Sequence, residues 1–406
     1  MKTTSTLRSV LPRLLALSGL LLAPALARAE TASAESNIFT LDTRGAGASL
    51  NLSSLDGAKG FVINGIDRAD HSGGSVSSAG DVNGDGFDDL IIGARGANSN
   101  AGKSYVVFGK AGGFGASLAL SSLDGSNGFV INGIDPQDSS GSVSGAGDVN
   151  GDGFDDLIIG AYHADPGGKF NAGESYVVFG KASGFGASLE LSSLDGNNGF
   201  VINGIDPHDT AGESVSGAGD VNGDGFDDLI IGARSASPWL VSNQGQSYVV
   251  FGKAGTFAAS LELSSLDGNN GFVINGIDQV DWAGDSVSGA GDVNGDGFDD
   301  LIIGALIADP GGKDGAGESY VIFGGNFTGM IQTATVLTKS LNINGEFEMQ
   351  FIRVSGIEYV VEYSSDLSNW NTLTTLVGYA NSKLIVDVDA VGQSRRFYRV
   401  ATQSEE

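Results

Sequence analysis

No cysteine occurs in the 406 residues. That excludes disulfides, zinc–thiolate centres, thiol nucleophiles and a lipidated N-terminal cysteine, so an exported chain would need some other cross-link. Proline is scarce at 7 residues and histidine scarcer at 3. His71, His163 and His208 share no position in the repeat described below, so no imidazole cluster of the zinc type is expected. Basic residues are few as well: 21 Lys and Arg stand against 49 Asp and Glu, for a formal net charge of -28. Such a surface repels phosphate backbones and anionic lipid, which excludes nucleic acid as a partner and favours divalent cations.

Long apolar runs are absent beyond the N-terminus, where Lys2, Arg8 and Arg13 precede the stretch from Leu14 to Ala27 and Ala27-Arg28-Ala29 forms a small-x-small cleavage site. Residues 1–29 therefore read as a signal peptide, and no membrane insertion is expected after its removal. Its loss takes away four positive charges and no negative ones, moving the net charge from -28 to -32. Residues 30–47, small and polar, read as a leader or linker. What the chain has in excess is glycine, 65 residues, beside a hydrophobic content of 41%. That pairing points to many short strands joined by tight turns and away from disorder or long helices.

A fixed repeat organises the middle of the chain. Gly-Phe-Val-Ile-Asn-Gly-Ile-Asp begins at Gly60, Gly128, Gly199 and Gly271, and Asp-Val-Asn-Gly-Asp-Gly-Phe-Asp-Asp-Leu-Ile-Ile-Gly-Ala begins at Asp81, Asp148, Asp220 and Asp292, at steps of 67, 72 and 72. A Ser-Tyr-Val-(Val/Ile)-Phe-Gly segment follows at Ser104, Ser175, Ser247 and Ser319. Each unit offers four β-branched or aromatic runs bounded by Gly, Asn or Asp, and a four-stranded sheet repeated about an axis is a β-propeller. The continuous apolar runs Leu-Ile-Ile and Tyr-Val-Val suggest burial on both faces. The Ser-Leu-x-Leu segments at Ser49, Ser117, Ser188 and Ser260 read as a fifth edge strand or a short turn. Phe61–Ile66 precedes the first acidic loop while the last unit stops at Gly324, so the N-terminal strand is placed to complete the final blade and close the ring. An open arc is the alternative.

Within each unit Asp-x-Asn-x-Asp-Gly-x-x-Asp sets oxygens at positions 1, 3, 5 and 9, with a backbone carbonyl at 7 and a glycine at 6 to turn the chain. The candidate ligands are Asp81, Asn83, Asp85, Phe87 and Asp89 in the first loop; Asp148, Asn150, Asp152, Phe154 and Asp156 in the second. The third holds Asp220, Asn222, Asp224, Phe226 and Asp228, and the fourth Asp292, Asn294, Asp296, Phe298 and Asp300. An all-oxygen set with three carboxylates suits Ca2+, about four ions in all. An EF-hand would need Glu at position 12, where Ile92, Ile159, Ile231 and Ile303 stand. A metal-free Asx turn would leave the carboxylates' mutual repulsion without compensation.

These units resemble FG-GAP repeats, the calcium-binding blades of the integrin alpha propeller, with Phe108-Gly109 and Gly93-Ala94 as the naming residues. The resemblance covers residues 48–325, with four units where the integrin ring has seven, and implies an adhesion role. Residues 326–406 change character and alternate like ordinary strands at Phe347–Val354, Ile357–Tyr363, Lys383–Val388 and Phe397–Val400, with Trp370, Tyr359, Tyr363 and Tyr398 available for a small sandwich-like core. This tail is similar to C-terminal modules of bacterial secreted proteins.

If the acidic loops lie on one rim of the blades, the connections after Leu-Ile-Ile-Gly-Ala lie on the other, and there the units differ most. Trp239, Trp282 and Tyr162 are the candidate partner-binding residues. The paired aspartates such as Asp206 and Asp209 recur in every unit, as turn-building residues do, and no Gly-x-Ser-x-Gly elbow or phosphate loop occurs. No catalytic residue is assigned. The expectation is an all-β, secreted or cell-surface protein, with the periplasm as an alternative, whose calcium-binding propeller of four FG-GAP repeats binds a protein or glycan at a cell surface or matrix; a lectin-like carbohydrate binder stacking sugars on the three aromatics is the alternative.

Overall fold

The computed structural model describes residues 50–237, 242–327 and, within 336–403, six strands with parts of their connections. The chain divides into two units, residues 1–54 and 55–406. Of the first, residues 50–54 are described and hold one 3-10 turn, Leu52–Ser54; the signal peptide and leader lie outside the described residues. All other described elements belong to the second unit.

The β-branched and aromatic runs form the strands expected of them. A leading strand β1 (Val62–Asn64) is followed by β2 (Ser75–Gly80), β3 (Asp89–Ala94), β4 (Lys103–Val107), β5 (Ser117–Ala119) and β6 (Gly128–Asn132). The second unit repeats this as β7 (Ser142–Gly147), β8 (Asp156–Ala161), β9 (Glu174–Val178), β10 (Ser188–Glu190) and β11 (Gly199–Asn203). The third gives β12 (Ser214–Gly219), β13 (Asp228–Ala233), β14 (Gln246–Val250), β15 (Ser260–Glu262) and β16 (Gly271–Asn275), and the fourth β17 (Ala283–Gly291), β18 (Asp300–Ala305) and β19 (Glu318–Ile322). The blades are the antiparallel sheets β2-β3-β4-β6, β7-β8-β9-β11, β12-β13-β14-β16 and β17-β18-β19. The fold is thus an all-β propeller built from the four repeats.

In each blade the register of the innermost strand shifts just before the acidic loop, between Ser78 and Gly80 in the first and between Gly145 and Gly147 in the second. Gly80 and Gly147 sit at φ 70° and 71°, a left-handed conformation that glycine adopts without steric cost, and the bulge bends the strand end into the loop. The Ser-Leu-x-Leu segments at Ser117, Ser188 and Ser260 are both strand and turn. β5, β10 and β15 add in parallel to the outer edges of β1, β6 and β11, and each then enters a 3-10 turn. A segment of one unit therefore stitches itself to the fourth strand of the unit before.

The cores lie between blades. Ile91, Val106 and Phe129 of the first blade pack with Leu157, Ile159 and Tyr176 of the second, and the pattern repeats at the next two seams. Both faces of β8 and β13 are buried throughout, as the continuous apolar runs require. The inner strands approach so closely that only glycine fits: a Cβ on Gly160 would stand 1.9 Å from the Gly212 carbonyl oxygen.

Closure departs from expectation. β1 pairs with β5 and not with the last blade, which keeps three strands. β2 packs on β7, β7 on β12 and β12 on β17, but β17 does not pack on β2 in that way. β1 is held on the first blade through β5, where Ile63 and Leu118 lie against Ile92, Tyr105 and Val107, in the way β6 is joined to β10, and its other edge pairs with no described strand.

The C-terminal part forms two three-stranded sheets, β20 (Val336–Leu341), β21 (Phe347–Arg353) and β24 (Asn381–Asp387), and β23 (Asn371–Val377), β22 (Glu358–Ser364) and β25 (Phe397–Gln403). Met349 and Ile385 from one meet Tyr359 and Val361 from the other, a small sandwich core. β20 and β23 were not among the expected strands, and Trp370 lies outside the described residues.

If the glycine at a blade seam is dictated by close approach, Gly160→Ala costs about 1–3 kcal/mol in urea unfolding, the usual range for overpacking. Gly186→Ala, at an exposed position with only the Ser188 carbonyl oxygen 3.7 Å away, stays within about 0.5 kcal/mol of the parent.

Candidate metal centres and the opposite rim

Each acidic loop joins the innermost strand of a blade to the next, so all four lie at the same rim. In the first, Asp81 Oδ1 accepts the Gly84 and Asp85 N–H groups at 2.8 and 3.0 Å and Oδ2 accepts that of Gly86 at 2.8 Å. Asn83 Oδ1 accepts the Asp85 N–H at 2.8 Å and Asp85 Oδ1 that of Phe87 at 3.0 Å. The fourth loop repeats the pattern on Asp292, Asn294 and Asp296. Gly84 and Gly86 at φ 73° and 87° allow the coil that folds positions 1, 3 and 5 together. In the other three loops the Asn side chain at position 3 stands within hydrogen-bond distance of the carboxylate at position 5, as for Asn150 and Asp152 at 3.0 Å. Among the described residues no Lys or Arg forms an ion pair with a loop carboxylate.

Position 9 behaves differently from positions 1, 3 and 5. Asp89 is fully buried; its Oδ2 accepts the Val82 N–H at 3.2 Å and its Oδ1 that of Gly109 at 2.8 Å, which is the Phe-Gly glycine. Asp156, Asp228 and Asp300 repeat this with Gly180, Gly252 and Gly324. Burial pushes the carboxyl of Asp89 up to about 7 and those of Asp156 and Asp228 up to about 8, with the loop carboxylates at positions 1 and 5 adding to the rise. With position 9 engaged in this way, no three acidic side chains among the described residues are gathered as a ready-made cluster. The donors still fit a hard cation, because Asp81 Oδ2, Asn83 Oδ1, Asp85 Oδ1 and both oxygens of Asp89 each accept a single N–H and keep a lone pair, and every donor in the set is oxygen.

The residue at position 8 was missed by the sequence reading. Asp155 Oδ2 accepts the Asp81 N–H of the preceding blade at 2.7 Å, Asp227 that of Asp148 at 2.7 Å, and Asp299 that of Asp220 at 3.0 Å. The Asp-Asp doublet in every unit was the available signal: one carboxylate holds its own loop and the other reaches across the seam.

The connections β3–β4 and β6–β7 lie on the opposite rim, as the strand alternation predicted, and they touch there through the Gly102–Ser140 bridge. A cleft of ≈ 370 Å³ opens on this side, lined by Arg95, Tyr162, Glu213, Arg234 and Asp285 among others. Arg95, Tyr162 and Arg234 occupy the same repeat position, directly after Gly-Ala, where the fourth unit has Leu306. Arg234 bridges Glu213 at 2.7 Å and Asp285 at 2.9 Å, and its guanidinium stacks 4.9 Å from the centre of the Trp282 ring. Trp282 is thereby engaged within the molecule, Tyr162 is half-buried at the cleft, and Trp239 lies outside the described residues. On the same rim Asp209 is buried beside Asp206, and burial first, then the neighbouring charge, pushes its carboxyl up to about 7.

Comparison with known proteins bears on the repeat. Four stretches, residues 72–107, 140–178, 211–250 and 283–322, match the FG-GAP repeat. The chain is 30% identical over 246 residues to integrin alpha pat-2 of Caenorhabditis elegans, covering 57% of this chain and 18% of that protein. It is 32% identical over 171 residues to the phosphatidylinositol-glycan-specific phospholipase D of Bos taurus, 41% of this chain and 18% of that one. Over 170 residues it is 29% identical to integrin alpha-4 of Xenopus laevis, 42% of this chain and 14% of the relative. The chain thus spans less than a fifth of the length of these relatives.

Two outcomes follow from the carboxylates. Asp155→Ala, which removes the acceptor for the Asp81 N–H, costs about 1.5–3 kcal/mol in urea unfolding, the range for a hydrogen bond to a charged group. For Asp209 the folded-state value lies above the unfolded value of 3.8. The stability contributed by its protonated form is therefore complete below that value and lost as pH rises through about 7. Asp209→Asn flattens the fall of the urea midpoint across this window; an unchanged slope contradicts the assignment.

Proposed function

From four FG-GAP repeats as premise, we propose that this chain is a secreted, calcium-binding propeller that engages another protein at a cell surface or matrix, without catalysis of its own. The observation that carries the reading is the division between the rims. One rim holds four near-identical acidic loops whose carboxylates form no ion pair among the described residues, and the other gathers the residues in which the repeats differ around one cleft. Asp at positions 1 and 5, Asn at 3, the position-7 carbonyl and Asp at 9 would hold one Ca2+ per loop. Each ion would neutralise two of the loop's negative charges and tie the bulged strand end to the next strand. Binding stabilises by mass action, about 2.7 kcal/mol per site at a hundredfold excess over the dissociation constant. Extracellular modules bind calcium at about 0.1 to 1 mM, which suits a protein outside the cell; the signal-like N-terminus supports the same location.

The names of the relatives divide between integrins and a phospholipase, so the repeat alone does not fix the activity. A protein ligand is favoured over a glycan because the cleft presents Arg95, Glu213 and Asp285 beside a single open aromatic, Tyr162. Trp282, stacked under Arg234, offers no free face for a sugar on that side.

The expected behaviour is a melting temperature that drops on addition of EDTA and returns on addition of Ca2+ but not of Na+. Immobilised chain should capture a surface or matrix protein in calcium, with Arg95→Glu and Tyr162→Ala losing at least about tenfold in affinity, the loss of one interface anchor. Capture that survives both substitutions, or binding confined to a glycan array, overturns the partner reading.

A further inference from the structure

The three seams inside the chain act as controls for its two ends. Every seam joins the same two surfaces, the advancing face of one blade and the receiving face of the next. On the receiving side Val143 is 4% exposed and Val215 7%, whereas their first-blade counterpart Val76 is 66% exposed. On the advancing side Val106, Val177 and Val249 are 0% exposed, whereas Val321 of the fourth blade is 47% exposed and Val293 in its loop 62%. Both ends of the series therefore carry apolar surface that is buried wherever a neighbouring blade exists.

The polar groups of the seam are divided between the ends in the same way. At inner seams position 8 accepts the loop N–H of the preceding blade, as Asp155 does from Asp81. Asp88 is exposed, and among the described residues it accepts no such bond and the Asp292 N–H meets no carboxylate. Lys181 and Lys253 donate their N–H groups to the Val82 and Val149 carbonyls of the preceding loop, both at 2.9 Å, while among the described residues the Val293 carbonyl receives no such bond. The Phe154, Phe226 and Phe298 rings press on Gly84, Gly151 and Gly223; nothing stands within 4 Å of a Cβ on Gly295. Among the described residues the fourth blade has no outer strand, and the outer edge of β19 pairs with none. β1 pairs on one edge only.

We propose that the fourth blade receives the first blade of a second copy of this chain, head to tail, through the contacts that join blades within one chain. β1 of one copy then becomes the missing strand beside β19 of the other. The β4–β6 pairing sets the register, with Gly60 opposite Ile322 and Asn64 opposite Glu318, in place of Gly128 opposite Val107 and Asn132 opposite Lys103. Asp88 of one copy accepts the Asp292 N–H of the other. The chain's own first blade is not the occupant, because β1 and β19 do not pair and β2 and β17 do not pack as β2 and β7 do. Such a contact is heterologous: two chains that close it twice make one ring of eight blades, and a series that fails to close becomes a filament.

The test uses the full chain in sedimentation equilibrium across a dilution series. Val321→Asp blocks every advancing face and Val76→Asp every receiving face; both positions are already exposed, so the variants keep the parent's circular dichroism spectrum and unfolding midpoint at the lowest concentration. The wild type is expected to be a dimer or longer oligomer, each variant alone a monomer, and an equal mixture of the two a heterodimer, because one open face of each kind remains. Independently, the cysteine-free chain allows Ile63→Cys/Ser319→Cys to be oxidised. A disulfide between chains supports the junction, and one within a single chain shows a closed four-bladed ring and overturns it. A monomeric wild type, an oligomer indifferent to both substitutions, or a mixture that stays monomeric also overturns it.

Discussion

The structure depends on how it manages negative charge at the seams between blades. A formal charge of -28 is spread over the chain, yet carboxylates are concentrated in four tight loops, the first three set against the next blade. Part of that charge is met by backbone N–H groups: three converge on the first aspartate of the first, third and fourth loops and two on that of the second, and one more on each oxygen of Asp89. Dipoles of this kind hold the geometry but leave the net charge in place, and burial of Asp156 and Asp228 makes their ionised forms costly. A divalent cation would meet both demands at once.

The same loops do two mechanical jobs. The ninth residue ties a loop to the Phe-Gly turn of its own blade, and in the second to fourth loops the eighth ties it to the loop before. Glycines at the bulge, inside the loop and along the seam let backbones approach where a side chain would collide, as at Gly160. A chain without cysteine or a conventional single core thus gains its cohesion from a series of similar junctions, each buried by the one that follows. With the scaffold assigned to one rim, the other is free to vary, and Arg95, Tyr162 and Arg234 show that variation at one repeat position.

Much of this was legible in the residue order. The blade strands were visible because β-branched runs bounded by Gly and Asn leave few other choices, and the loops because three carboxylates within nine residues are costly without a purpose. The alternation of the two rims followed from strand direction alone. What escaped was set by neighbours in space. That Asp155 reaches Asp81, that β5 adds in parallel to β1, and that β1 stays on the first blade all depend on the packing of one unit against another. Strand β23, Asn-Thr-Leu-Thr-Thr-Leu-Val, was hidden because its threonines read equally well as a loop. Trp282 looked like a free anchor because nothing local shows that Arg234, 48 positions earlier, lies over its ring.

The central claim is that each acidic loop holds one calcium ion. Equilibrium dialysis of the purified chain against radioactive Ca2+ tests it most directly: the account predicts about four ions per chain, one per loop, and one fewer when Asp148 and Asp152 are both replaced by alanine. A chain that binds no calcium, or whose stoichiometry is unmoved by that double substitution, contradicts it.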